Sequence, residues 1–213
     1  MNNRNHQARI ESKRQEFRAK YTGLMFNSYV NIILVLLIFA VSLFYSGAKI
    51  DWDLLVLPLV ILGFLYGEGA LYIAHRFQQH RKRKFQETIF QMHTMWHHGM
   101  FSKENMHIDS VQDMNMVVLP FFIHGSVLAL IYFPIGLITQ KFFMSDIGWI
   151  LMFSITLQLV WYEFVHTLSH TDNPQILKTL SKHHKEHHNP KLMGKANFGI
   201  GTTVFDRILG TRH

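Results

Sequence analysis

Ten of the chain's 15 histidines fall in four short clusters, and these are the residues whose type and spacing point to chemistry. HRFQQH places His75 and His80 five apart, and HTMWHH gathers His93, His97 and His98. WYEFVHTLSH places His166 and His170 four apart, and HHKEHH gathers His184, His187 and His188. Neutral imidazole is the commonest metal ligand and suits iron, zinc, copper or nickel. Ten imidazoles are too many for one ion and suit two. The chain has no cysteine, so metal binding falls to His and carboxylate.

Residues three and four apart share a face of an α-helix. His93 with His97, His166 with His170, and His184 with His187 and His188 are therefore each expected to point at one site. His75 and His80 fit less well, and their spacing predicts a break or distortion where an apolar helix meets a polar one. Two acids lie in apolar stretches. Glu163 precedes His166 and His170 on one helical face, and Glu68 precedes His75 by two turns. Each is expected to accept the free ring N–H of a metal-bound histidine; the alternative is a polar residue that lines a cavity or joins two helices. His6 and His213 are expected to be solvated and His107 to sit in a polar loop. His124 reads as a hydrogen-bonded core residue, and His183, turned about 100° from His184, as exposed.

The elements that must position these groups are helical. Apolar residues gather into four blocks, roughly 28–48, 54–74, 116–139 and 147–168, each near the length needed to cross a bilayer. The links KIDWD and QKFFMSD are too short to be domains. Of the 21 Lys and Arg, only Lys49 and Lys141 lie on the far side of this pattern. The positive-inside rule then places both termini and every histidine cluster on the cytoplasmic face. The net charge of +7 is explained by that topology, with no nucleic acid required. Residues 76–107 read as one helix, 189–198 as a loop, and the last residues as a turn leading into a short helix. The expected fold is all-α: an integral membrane protein with about four transmembrane helices and a cytoplasmic, histidine-rich helical cap. Residues 1–27 form a basic cytoplasmic segment suited to acidic headgroups, and 28–213 the membrane domain.

These boxes, in this order, resemble the fatty acid hydroxylase superfamily of sterol desaturases, sterol methyl oxidases and fatty acid 2-hydroxylases. The resemblance runs from Glu68 to Thr211. It rests on HRFQQH, on WYEFVHTLSH, and on HHKEHH with the closing NFGIGTTVFDRILGT, which carries Asn197, Phe198, Gly199, Asp206 and Gly210. One box departs from the pattern: three residues separate His93 from His97 where the family usually leaves two, so His93 is a displaced member of its box. The resemblance implies a dinuclear metal centre held by His75, His80, His93, His97, His98, His166, His170, His184, His187 and His188. It also implies oxygen-dependent modification of a lipid.

The expected activity is an iron- and oxygen-dependent lipid hydroxylase or desaturase acting on an acyl, sterol or isoprenoid chain. Two iron ions per chain are expected, with zinc an alternative occupant on purification. Partners are O2, a membrane lipid, and a separate electron-donor protein of small cytochrome or ferredoxin type. The site would face the cytoplasm, from the inner membrane of a bacterium or the endoplasmic reticulum of a eukaryote. A membrane zinc transporter or sensor is the alternative, but a transporter should carry polar ligands near the bilayer midplane. Here the boxes lie at the membrane boundary.

Overall fold

The computed structural model describes residues 3–49, 56–120, 123, 125, 133–143, 145–171 and 177–213, and these are all helix, turn and loop, with one isolated bridge between Ser102 and Asn105. Helix α1 spans Asn3–Lys20, α2 Ser28–Lys49 and α3 Val56–Ala74; α4 spans Phe133–Phe143, α5 Ser145–Ser169, α6 Lys178–His187 and α7 Val204–Ile208. Among the described residues three helical stretches are long and apolar enough to cross a membrane: Ser28–Ala48, Val56–Gln79 and Ile147–Ser169. Part of the third expected block, His124 included, falls outside the described residues. Its described ends are a non-helical turn through Met116–Pro120 and the 11-residue α4.

Burial on these helices is inverted relative to a water-soluble bundle. On α2, Ile33, Leu37, Val41 and Phe44 are exposed, while Asn31, Ser42 and Ser46 are buried; the Ser46 hydroxyl donates to the Trp149 carbonyl. On α3, Leu57, Ile61 and Leu62 face outward, while Gly63, Gly67 and Glu68 are inside. Apolar residues outside and polar ones inside are stable only if the surroundings are hydrocarbon. The chain is a membrane protein.

Small residues set the approach of α3 to α5. A Cβ on Gly63 would lie 2.7 Å from the Ser154 Cβ, and one on Gly67 3.0 Å from the Gln158 amide oxygen. This is the close crossing that small residues one turn apart permit in membrane helices. Farther along α3, a Cβ on Gly69 would strike the Phe205 ring at 2.8 Å, which packs the chain's C-terminal segment against the span.

Helix α1 is docked on the cap. Phe17 is fully buried with Trp96, Met100, Phe101, Met116 and Val117. Arg14, also fully buried, donates to the Met100 and His107 carbonyls and pairs with Asp109 and Asp113. Arg18 clasps Asp113 with two bonds, of 2.8 and 2.6 Å. The helix expected over 76–107 is interrupted: residues 80–86 are bend and turn, and helix resumes at Glu87 and ends at Met100. The ordinary helical turn cannot hold His80 toward the protein interior while leaving the basic run Arg81–Lys84 in solvent, so the chain bends between them.

Candidate metal centre

Two π-helical turns position the first two boxes. His75–Gln79 continues α3 as a π-helix, and Gln91–His97 is a second, ending in the short helix His98–Met100. A π-turn closes on the fifth residue, so it aligns residues five apart. The expected distortion at His75–His80 is therefore present, and it brings those two rings to 4.9 Å between centroids. The same geometry corrects the expected pairing of His93 with His97. His93 faces His98, with Nε2 atoms 3.2 Å apart, while His97, its ring stacked on that of His93 at 5.0 Å, directs its own Nε2 to His188 beside His166 and His170.

The ring nitrogens gather in two groups. His75, His80, His93, His98 and His187 form one; His97, His166, His170 and His184 form the other, and within each group one nitrogen per residue lies within 4.8 Å of all the rest. His188 joins the second group, its Nε2 3.2 Å from that of His97 and 3.1 Å from that of His184, while its ring lies 4.2 Å from that of His98. The box His184, His187 and His188, expected to serve one site, is thus divided. His187 crosses to the first group because it lies on the side of α6 toward His75 and His80.

The proton positions follow from the acceptors. His75 Nδ1 lies 2.6 Å from the Phe198 carbonyl, His187 Nδ1 2.9 Å from that of Ala196, and His97 Nδ1 3.0 Å from that of Met116. His170 Nδ1 meets the Met106 carbonyl at 3.0 Å and His188 Nδ1 the Phe101 carbonyl at 2.8 Å. A carbonyl only accepts, so each of these Nδ1 atoms carries the hydrogen and each neutral Nε2 is a bare lone pair. For His80 the Thr94 hydroxyl plays the same part: it donates to the Gln79 carbonyl at 2.6 Å and receives His80 Nδ1 at 3.2 Å.

The lone pairs then face one another. His80 Nε2 lies 3.1 Å from that of His75 and 2.8 Å from that of His187, with no proton between them. The Nε2 atoms of His97 and His188 stand 3.2 Å apart in the same way. Protonation does not relieve this, because burial first, and neighbouring imidazoles second, hold His93, His97, His98, His170, His184, His187 and His188 well below the usual 6.5. Burial, then His75 and His188, pushes His80 down to about 2. Converging neutral donors with no hydrogens between them fit a cation.

Glu68 takes the second of its expected roles and joins helices. Glu68 accepts from Gln158 Nε2 at 2.8 Å and from the Thr202 hydroxyl at 2.8 Å, tying α3 to α5 and to the C-terminal segment. Glu163 accepts from the Leu119 amide at 3.3 Å. Main-chain carbonyls and the Thr94 hydroxyl occupy the Nδ1 positions of His75, His80, His97, His170, His187 and His188. His183, expected to be exposed, is buried, and its Nε2 lies 3.0 Å from Asp206 Oδ2.

Asp206 is the organising residue that histidine spacing did not reveal. Fully buried, it accepts from the Phe198 amide at 2.9 Å, the Gly199 amide at 2.7 Å and the Thr211 hydroxyl at 2.7 Å as well as His183. Burial alone would raise its pKa, but the bonds from His183, Thr211, Gly199 and Phe198 outweigh it and hold the carboxyl below its ordinary value. Asn197 sits beside it in the left-handed region at φ 59 and accepts from the His213 amide at 2.8 Å. This closing loop presents the Ala196 and Phe198 carbonyls to His187 and His75. The signal in the sequence was the NFG stretch followed by Asp206 and Thr211.

A family model described as fatty acid hydroxylase matches residues 60–211. The chain belongs to the fatty acid hydroxylase family. The match takes in all four histidine clusters and Asp206. A solved structure titled "Full length scs7p (only hydroxylase domain visible)" has the same fold, with a TM-score of 0.64 and 18% identity, over 87% of this chain and 66% of that one. This fatty acid hydroxylase family chain thus spans just under two-thirds of that chain's length. No curated protein is similar enough to count as a match.

Proposed function

We propose that this protein is an oxygen-dependent lipid hydroxylase that holds two iron ions, one in each histidine group, and acts on an acyl, sterol or isoprenoid chain. The observation that carries this reading is the convergence of neutral, hydrogen-free Nε2 lone pairs in two adjoining groups at the end of membrane-spanning helices. His75, His80, His93, His98 and His187 would hold one ion, and His97, His166, His170, His184 and His188 the other. Iron, when bound, supplies the redox change that oxygen chemistry requires and zinc does not.

The chain's own residues do the rest. The carbonyls of Phe101, Met106, Met116, Ala196 and Phe198 fix the tautomer and angle of five imidazoles, so the site is organised before any ligand arrives. Fully buried Met100, Phe101 and Phe198 exclude water around the rings. Glu68, Gln158 and Thr202 fasten the closing loop to α3 and α5. One oxygen atom would enter a C–H bond of the lipid; a separate donor protein would supply the electrons that reduce the other to water. The charge asymmetry supports a cytoplasmic cap, where such a donor is found.

The test is lipid profiling of cells expressing the protein or its His170→Ala/His184→Ala variant at equal membrane levels. Hydroxylated lipid should accumulate with the former alone. Identical lipid profiles would dismiss the proposal.

A further inference from the structure

A groove of about 540 Å³ opens between α3, α5, α6 and α7, and its lining is mostly apolar: Phe64, Trp161, Leu180 and Val204 with the backbone of Gly201. Its volume is that of a ligand site. The one charged side chain in the wall is Arg207, which is exposed and has no ion-pair partner among the described residues. Phe205 packs on Gly69, so α7 lies beside the membrane span itself, six residues before His75. At that level Val204, Ile208 and Leu209 are exposed, which places an apolar rim and one cation where hydrocarbon gives way to headgroups.

The groove also points inward. Gly201 is shared with a cleft of about 10 Å³ lined by Tyr72, Tyr162, Phe198 and His75. Between the two stand the Trp161 indole, which donates to the Gly201 carbonyl at 2.9 Å, and the Glu68–Thr202 bond. The inner cleft is too narrow for a hydrocarbon chain in this state. Turning Trp161 aside and releasing the Glu68–Thr202 bond would join it to the groove at the cost of about two hydrogen bonds.

We propose that this groove is a lateral entry site for a membrane lipid with an anionic head, the head held at Arg207 and the chain passing the Trp161–Gly201 contact toward His75. The inference rests on reading the histidine groups as the oxidising centre. The occupant is drawn from the bilayer because the groove opens at membrane level, and it is anionic because the one charged side chain that lines it among the described residues is positive.

The test uses full-length protein as purified, in lipid nanodiscs without reductant, irradiated with a long-chain fatty acid carrying a mid-chain diazirine. Adducts should map to Phe64, Trp161 or Leu180. Palmitate should compete, and neither hexadecanol nor inorganic phosphate should. Arg207→Gln should cut labelling by about fivefold, the worth of one exposed ion pair, and Arg207→Lys should restore it. Val204→Trp, a change at the rim, should block labelling with Arg207 intact. Adducts confined to the outer face of α2, equal competition by hexadecanol, or full labelling of both Arg207→Gln and Val204→Trp would overturn the proposal. Because labelling needs no turnover, a labelled groove in an inactive protein would count against the oxygenase reading alone. Turnover with an unlabelled groove would count against the entry site alone.

Discussion

Replacing Asp206 with Asn removes one charge and keeps the shape. The carboxylate receives two backbone N–H groups, one at each oxygen. Whichever way the new amide is turned, its NH2 faces one of them, so either the Phe198 or the Gly199 amide is left buried without an acceptor. An orphaned buried donor and the loss of charge assistance together cost about 2–4 kcal/mol. That is a large share of a typical stability of about 5–15 kcal/mol, yet short of unfolding. The damage should be selective. The loop fixed by Asp206 carries the Ala196 and Phe198 carbonyls, which orient His187 and His75 in the first group, whereas the carbonyls behind His97, His170 and His188 belong to other segments. Asp206→Asn should therefore weaken metal affinity at one of two sites by about 10–100-fold, the usual effect of losing a partner behind a ligand. The assay is metal release to a chelator, followed alongside thermal unfolding in detergent. Unchanged release from both sites, or equal weakening of both, would refute the reasoning.

Arg14→Met should lower stability by about 1–3 kcal/mol, because it leaves the Met100 and His107 carbonyls without their donor and removes one of the two cations beside the buried Asp113; a wild-type melting curve would contradict this. Gly63→Ala should impair folding more than Gly47→Ala, since its methyl group meets Ser154 Cβ at 2.7 Å and the other meets nothing within 4 Å; equal yields of folded protein would count against the α3–α5 crossing. Metal-stripped protein should lose stability as pH falls from about 6.5. Unfolded imidazoles begin to take up protons there, while His80 and its buried neighbours, with pKa values lowered in the folded state, do not. An unfolding midpoint unchanged between neutral and mildly acidic buffer would contradict the neutral-imidazole assignment.

Much of the architecture was legible because it rests on local composition. The apolar spans, the charge asymmetry and the box spacing are properties of the chain itself, and so is the short helix that ends it. The pairing within boxes was not legible, because an α-helical rule joins His93 to His97 whereas the π-turn joins His93 to His98. A π-turn is retained by what it aligns in the tertiary structure, and composition does not announce it. The partners of the ring nitrogens were hidden for a different reason: they are carbonyls, which every residue carries, so side-chain chemistry drew attention to Glu68 and Glu163 instead. His183 reads as surface on a helical wheel, but the closing loop folds over it and supplies Asp206. The basic first segment reads as a surface helix for acidic headgroups, yet Phe17 and Arg14 are buried in the cap.

The central claim is that the paired histidine groups carry out oxygen-dependent hydroxylation of a lipid. Its most direct test is to load the purified protein with ferrous iron, supply a reducing system and membrane lipids, and run the reaction under oxygen gas enriched in the heavy isotope. The account predicts lipid hydroxyl groups that carry the heavy atom, and none when oxygen is withheld or when zinc alone fills the site. Lipid modified equally well without oxygen, or with zinc in place of iron, would contradict it.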